Sequence, residues 1–408
     1  MKKLLFMTPE LPFPAHSGGK LKSLKLIEHL QRHFDVTLCC PLKGDDAAHL
    51  GEFQDAYPML EVVSERVVVA RSAGNLLRSY VQKQPLNVLR TASKQLQTKV
   101  SAIIDEFPVV FLDHYEVGQF LPDSYTGTVI YHGHNAYHRI WQTYSHSTRN
   151  PFYKLATHFE ANRVKQFEVA VANRSDLVFA APDDLTALST AGVNQPEMAE
   201  TYHLGEYGNG ETGPSWYQLE ANLVYVGFLG WEANVQGLLW FIHNVWPRLQ
   251  QKHPELKFRI VGKNADERLR KAAARHPNIE LLGFVKDLDD VFSHSLVCVA
   301  PLTFGSGMKV KILSALARGI PVATTPIGAE SIAAEHREHM MIAKTADEMA
   351  LDIDELLMNQ TLWQRLANNS RQLIKDKYTW ERLFADMDAV MSRLIDSDEQ
   401  QPHLAKIA

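Results

Sequence analysis

"SLVCVAPLTFGSGMKVKILSALARGIPVATT", residues 295–325, holds one complete unit of the fold. "SLVCVAPL" is an apolar run of strand length. A loop with glycines at 305 and 307 follows it. Val310, Leu313 and Ala317 then recur at i, i+3 and i+7, the spacing of an apolar helix face. "PVATT" returns to strand character. Strand, helix and strand in succession make a parallel crossover.

The loop inside this unit also carries a chemical signal. Gly305 and Gly307 let the backbone turn tightly and approach a ligand closely. The N–H groups that open the next helix, and its dipole, favour an anion. Lys309 and Lys311 stand at that end. There their charge opposes the dipole, at about 0.3–1 kcal/mol each. A bound phosphate offsets that cost; the plainer reading is a turn before a solvated helix start. A second glycine loop favours the phosphate. "PFPAHSGGKLKS", residues 12–23, follows the strand "KLLFM" and opens the first helix. Gly18, Gly19 and Lys20 stand where a doubly wound domain holds anions. The spacing fits neither a Walker loop nor the dinucleotide fingerprint. One such loop in each half suggests a diphosphate clasped across a cleft.

The rest of the chain repeats the pattern. "DVTLCC", "VVFLDH", "TVIYHGHN" and "DLVFAAP" read as strands of a first half, and residues 151–172 as a long helix. "NLVYVGFLG", "KFRIVG" and "IELLGFV" read as strands of a second, with one helix through "VQGLLWFIHNVWPRLQ". Both halves are therefore α/β with parallel sheets. "GEYGNGETGPSW", residues 205–216, has four glycines and a proline and reads as a linker. The expected division is a first domain over 1–205, a linker over 206–218 and a second domain over 219–378. The amphipathic helix of residues 379–396 is expected to pack back on the first domain.

With 408 residues, two domains of ordinary size are expected. A net charge of -5 argues against nucleic acid as a partner. Cys39, Cys40 and Cys298 lack metal-ligand spacing and read as small core residues of a reduced protein. "MKKLLFMTPELPFP" begins like a secretory signal, but its apolar run ends at Met7. A cytoplasmic location is expected.

Here the residues become recognisable. "YVGFLGWEANVQGLLWFIHNVWPRL", "FRIVGKN", "IELLGFVKDLDDVF", "VAPLTFGSGMKVKILSALARGIPVATTPIGAESI" and "YTWERL" resemble the family-four glycosyltransferases of GT-B fold, in a branch found with polysaccharide and surface-glycan genes. The first half adds "TPELPFPAHSGGKLKS", the pair His134-Asn135 and "EVAVANRSDLVFAAPDDLTAL". The resemblance implies two Rossmann-like domains facing a cleft. It also implies transfer of a sugar from a nucleotide diphosphate sugar to a carbohydrate or lipid-linked acceptor. Retention at the anomeric carbon and no metal or other cofactor are implied too, backbone N–H groups and basic side chains stabilising the leaving diphosphate.

Carried onto this chain, the resemblance implies that Gly18 and Gly19 meet the diphosphate, with Gly305, Ser306 and Gly307 in the second loop. Lys309 and Lys311 match basic positions before a long helix. Phe284 and Val285, after Gly283, match a strand end that touches the base. Glu330, after "TPIGA", falls near the nucleotide-sugar loop; a helix N-terminal acid is its plainer reading. His134 matches a histidine beside the transferred sugar, with His132 a rival two positions away. The family usually has a carboxylate at each of the positions of Ser306 and Ser314, the later one holding the ribose hydroxyls. Two serines here leave neutral hydrogen bonds, roughly half as strong. The loop "GFLGWEANVQG" also lacks the usual Arg and Lys, and Tyr137 stands where a glutamate is common.

Residues 138–174 intersperse Arg139, Arg149, Lys154, Arg163, Lys165 and Arg174 with Trp141, Phe152 and Tyr153. They offer a peripheral contact with anionic lipid, against the plainer reading of a solvated helix face. Asp287, Asp289 and Asp290 fit a helix cap better than a metal site. Two other functions fit the same fold. A nucleotide-sugar epimerase needs acid/base groups, and the missing carboxylates weigh against it. A non-catalytic scaffold for another glycosyltransferase would explain Ser306, Ser314 and Tyr137.

Overall fold

The computed structural model describes residues 1–68, 73–147, 151–202, 204–205, 216, 220–305 and 307–400. Most of the expected linker, and Ser306, lie outside the described residues. The chain divides into two units, residues 1–203 with 383–408, and residues 204–382.

In the first unit seven parallel strands form one sheet. They are β1 (Lys2–Met7), β2 (Phe34–Leu42), β3 (Glu61–Arg66), β4 (Val109–Asp113), β5 (Thr128–His132), β6 (Leu177–Ala180) and β7 (Glu197–Glu200). Their order is β3-β2-β1-β4-β5-β6-β7. Every residue of β4 and β5 is buried, as a strand covered by helices on both faces must be. The edge strands β3 and β7 are half-exposed and read "EVVSER" and "EMAE". With one flank open they need no apolar run, so the sequence does not mark them. Leu5, Val110, Leu112, Val129 and Val178 centre the core between sheet and helices.

The second unit has β8 (Asn222–Val226), β9 (Lys257–Val261), β10 (Ile279–Gly283), β11 (Val297–Ala300), β12 (Val322–Thr324) and β13 (Met341–Ile342), in the order β10-β9-β8-β11-β12-β13. Leu223, Phe241, Phe258, Val299, Trp246 and Trp363 fill its core. The single helix expected through residues 235–250 is two, Glu232–Asn244 and Trp246–Lys252. Pro247 accounts for the break: it has no N–H to give, and its ring displaces the carbonyl four residues back. Cys39, Cys40 and Cys298 are buried free thiols. Asp287 caps the helix Leu288–Phe292, its carboxylate accepting from the Asp289 amide at 2.8 Å.

The last helix, Trp380–Gln400, lies with the first unit from Leu383 onward. His29 stacks on Phe384 at 4.1 Å and sits 2.8 Å from Asp388. Arg393 pairs with Glu197 at 3.2 Å. No described helix is long and apolar enough to cross a membrane.

One contact fixes how close the helix Glu232–Asn244 lies to the loop after β11. A Cβ at Gly237 would fall 2.4 Å from the Pro301 carbonyl oxygen. Gly237→Ala is therefore expected to destabilise the protein by about 1–3 kcal/mol, despite the better helix propensity of alanine. Chemical denaturation measures this, and an unchanged or raised midpoint would contradict the packing.

Candidate active site

Where the strand order of a parallel sheet reverses, the loops leaving the two central strands part and leave a crevice. In the first unit that point lies between β1 and β4. The loop after β1 ends at Ser17, whose hydroxyl caps the helix Gly18–Leu30 by accepting from the Lys20 amide. Asp113 ends β4, in register with His132 of β5.

Asp113 is the centre of a buried cluster. One carboxylate oxygen, Oδ1, lies 2.6 Å from His132 Nδ1 and 2.6 Å from His134 Nε2. The other, Oδ2, accepts from the Ser23 hydroxyl at 2.5 Å. Burial alone would raise this carboxyl, but the two histidines hold it well below the usual range. An ionised carboxylate only accepts, so both facing ring nitrogens carry protons. Burial depresses both histidines to about 4, so each is a neutral imidazole. The protonated Nε2 of His134 leaves Nδ1 as the acceptor. A Cβ placed on Gly19 would lie 3.7 Å from this Nδ1. The helix thus approaches closely at a residue without a side chain.

Two further residues shape the cluster. His114 has φ 82°, a strained setting for a side chain of its size, and lays its ring on His134 at 3.7 Å. Burial holds it neutral as well. Lys22 is fully buried, and its ammonium has no hydrogen-bond partner among the described residues. Burial brings it down to about 7, against the opposing pull of Asp113 and Asp184. The donor atoms of Asp113, His132 and His134 lie within 4.8 Å of one another, close enough to hold a metal ion. Here the two ring nitrogens are directed at one carboxylate oxygen, and a lysine faces the group. The arrangement is that of a hydrogen-bonded cluster.

In the second unit the order reverses between β8 and β11. The loop after β11 has Gly305 at φ 134° and Gly307 at φ 74°, both settings that favour glycine. Lys309 precedes the helix Val310–Ala317; its ammonium folds onto the Gly307 carbonyl and lies 3.9 Å from Glu330. Lys311 turns inward, donating to Tyr225 Oη at 2.7 Å and to Asn234 Oδ1 at 2.6 Å. Burial, with Lys309 nearby, brings its ammonium down to about 7. Ser314 is buried, and its hydroxyl accepts from Arg318 at 2.7 Å, one turn along. Arg318 also reaches Asp289 at 2.5 Å. Gly283 ends β10 with φ 70°, and the exposed ring of Phe284 carries the Lys263 ammonium 4.1 Å from its centre. Val285 is half-buried beside it.

Two groups of expected residues are therefore brought together: Gly18, Gly19 and His134 in the first unit, and Gly305, Gly307, Lys309 and Glu330 in the second. Phe284 and Val285 stand on the loop after β10, at the same carboxyl edge of the sheet. Of the basic stretch 138–174, Arg163 is engaged by Glu160 and by Ser79 at 2.9 Å, and Arg174 by Asp123 at 3.1 Å. Phe152 and Tyr153 have side chains outside the described set. Asp113, Ser23, Lys22 and His114 are site residues that the sequence reading passes over. An Asp-His pair at the end of a strand was their available signal.

Residues 220–359 match the family described as Glycosyl transferases group 1. An uncharacterized 44.6 kDa protein in the cps region of Klebsiella pneumoniae is 22% identical over 397 residues, 95% of this chain and 99% of that one. Among solved structures, the sucrose-phosphate synthase of Thermosynechococcus elongatus has a TM-score of 0.71 at 14% identity, over 97% of this chain and 100% of that chain. Anabaena HepE in complex with UDP and glucose has a TM-score of 0.66 at 16% identity, with the same coverage. The fold is GT-B. The family match falls within the second unit, where most of the sequence resemblance also lies.

The cluster makes an ordered prediction for stability. Asp113→Ala leaves two histidine donors and a buried ammonium without their carboxylate, and is expected to cost about 3–5 kcal/mol. Lys22→Met removes a buried ammonium that has no hydrogen bond, and is expected to be neutral or stabilising. Urea denaturation of the two variants in the reverse order would contradict the assignment of Asp113 as the centre.

Proposed function

We propose that this chain transfers a sugar from a nucleotide diphosphate sugar to an acceptor hydroxyl, with retention and without a metal, in the assembly of a surface polysaccharide or glycolipid. The observation that carries the reading is the glycine loop after β11. Positive-φ glycines, the start of a helix and two lysines gather at a switch point, a setting suited to a diphosphate. The family match over the same unit supports it. The cps-region relative supports the polysaccharide context.

In this reading the second unit holds the donor. Lys309, Lys311 and the loop amides stabilise the charge that develops on the leaving diphosphate. Phe284 offers an exposed face to the base. Ser314 stands where the family usually has a carboxylate, so a ribose hydroxyl meets a serine already bonded to the Arg318 guanidinium. In the first unit His134, fixed by Asp113, accepts a hydrogen bond from a sugar hydroxyl. The acceptor oxygen attacks the anomeric carbon on the face from which the diphosphate departs. The glycosidic bond forms, the bond to the diphosphate breaks, and the leaving phosphate takes the acceptor proton.

Lys311 gives the reading a sharp test. In the free protein its pKa of about 7 leaves much of it neutral above neutral pH. A diphosphate beside it favours the charged form and raises that pKa. Binding at about pH 8 is then expected to take up a proton, and affinity to fall as pH rises. Titration calorimetry with UDP in buffers of different ionisation enthalpy measures the uptake. Lys311→Met should abolish it. With an identified donor, Lys309→Ala and Lys311→Ala should each lower turnover by roughly 10²–10³-fold. Full turnover in both variants would remove the phosphate assignment.

A further inference from the structure

The carboxyl edge of the first sheet holds a second feature, next to the Asp113 cluster and separate from it. A cavity of about 670 Å³ opens there, in the range of small-molecule sites. Its walls come from the loops after five neighbouring strands. Glu10 follows β1, Lys43 follows β2, Arg66 ends β3, Glu116 follows β4 and Tyr137 follows β5. Arg90, from the helix Leu86–Thr91, completes the wall.

Arg163, Arg268, Arg318 and Arg337 all have carboxylate partners. Among the described residues, the side chains of Lys43, Arg66 and Arg90 make no hydrogen bond or ion pair. Three cations thus converge on one cavity with their hydrogen-bonding capacity unused. Both acids act on Lys43, but burial raises both carboxyls and so weakens their charge. Glu10 already faces Lys20 at 3.9 Å. Glu116 is buried, its Oε2 has no hydrogen-bond partner among the described residues, and burial lifts its carboxyl to about 7. A carboxyl that is part-protonated near neutral pH suits a hydroxyl-rich ligand, since it can donate or accept. The guanidinium forks of Arg66 and Arg90, in the same lining, match a phosphate or carboxylate.

The cavity also connects to His134. Tyr137 lines it, and the Tyr137 hydroxyl lies 3.2 Å from His114 Nδ1. The His114 ring rests on His134. A ligand in the cavity is therefore linked through two residues, Tyr137 and His114, to the histidine assigned to the transferred sugar.

We propose that this cavity binds the acceptor, and that the acceptor is a sugar bearing a phosphate or carboxylate held by Lys43, Arg66 and Arg90. The assignment of the ligand as acceptor rests on the glycosyltransferase reading; the selectivity for an acidic sugar does not.

Calorimetric titration tests it with four probes on the full chain: glucuronic acid, glucose 6-phosphate, glucose and inorganic phosphate. Charge-assisted contacts from these three cations should make the acidic sugars bind at least about tenfold tighter than glucose. Inorganic phosphate should bind more weakly than glucose 6-phosphate, because it leaves Glu116 and Tyr137 unused. The preference should vanish in Arg66→Gln/Arg90→Gln, whose fold is checked by thermal unfolding; the comparison of probes on the native protein stands without it. Equal affinity for glucose and the acidic sugars would overturn the proposal. So would inorganic phosphate matching glucose 6-phosphate, a preference that survives the double variant, or no binding of either acidic sugar at about millimolar concentration. A separate titration with UDP keeps the two readings apart. Absence of UDP binding with the acidic-sugar preference intact removes the glycosyltransferase reading and leaves the pocket.

Discussion

A parallel sheet can reverse its strand order only by sending its next connection the other way. The two loops at that point then diverge, and the polar ends of the central strands are left facing an opening. This chain makes that reversal twice, between β1 and β4 and between β8 and β11. Nearly all the chemistry it displays lies at those two places. Asp113 and the Gly18-Gly19 helix start flank the first. Lys311 with its partners Tyr225 and Asn234, and the Gly305–Lys309 loop, flank the second. The sheets are ordinary in composition and packing; their winding decides where a ligand can be met.

Burying ionisable groups at such points costs free energy, and the two units meet that cost differently. The first gathers the donors of two imidazoles and a hydroxyl around one carboxylate, so the charge of Asp113 is fully hydrogen-bonded. That bonding also fixes the tautomer of His134, which a free histidine would leave open. The second unit keeps Lys311 on two neutral oxygens, with no carboxylate at hydrogen-bond distance among the described residues. A cation held this way is under-compensated in the free protein. It gains most from an anionic ligand, which is the property a diphosphate site requires.

The repeating pattern of the fold was legible because fully buried parallel strands read as apolar runs. The edge strands β3, β7 and β13 were not, since half-exposed or two-residue strands carry no such run. At the site, glycine loops stood out by composition, and positive φ at Gly305 and Gly307 gives the physical reason. His134 came from the family resemblance. Asp113 was hidden, because its partners lie 19, 21 and 90 residues away in sequence and no local spacing marks them. Lys22 looked like one more base in a basic loop. The turn of the first helix carries it inside, three residues beyond the glycine that touches His134. Lys311 posed the converse problem: sequence reported its charge, but not that Tyr225 and Asn234 hold it inward. Ser314 was conspicuous as a missing acid, and Arg318 one turn later was there to be read as its partner.

The central claim is that a donor nucleotide binds the second unit despite the serine at 314. Calorimetric titration of the purified chain with UDP, GDP, CMP and dTDP, repeated on Ser314→Glu, tests it most directly. The account predicts that the native protein binds one nucleotide in clear preference to the others. Failure of the native protein to bind any of them, with binding appearing only in Ser314→Glu, would contradict it and point to a chain that keeps the fold without the donor.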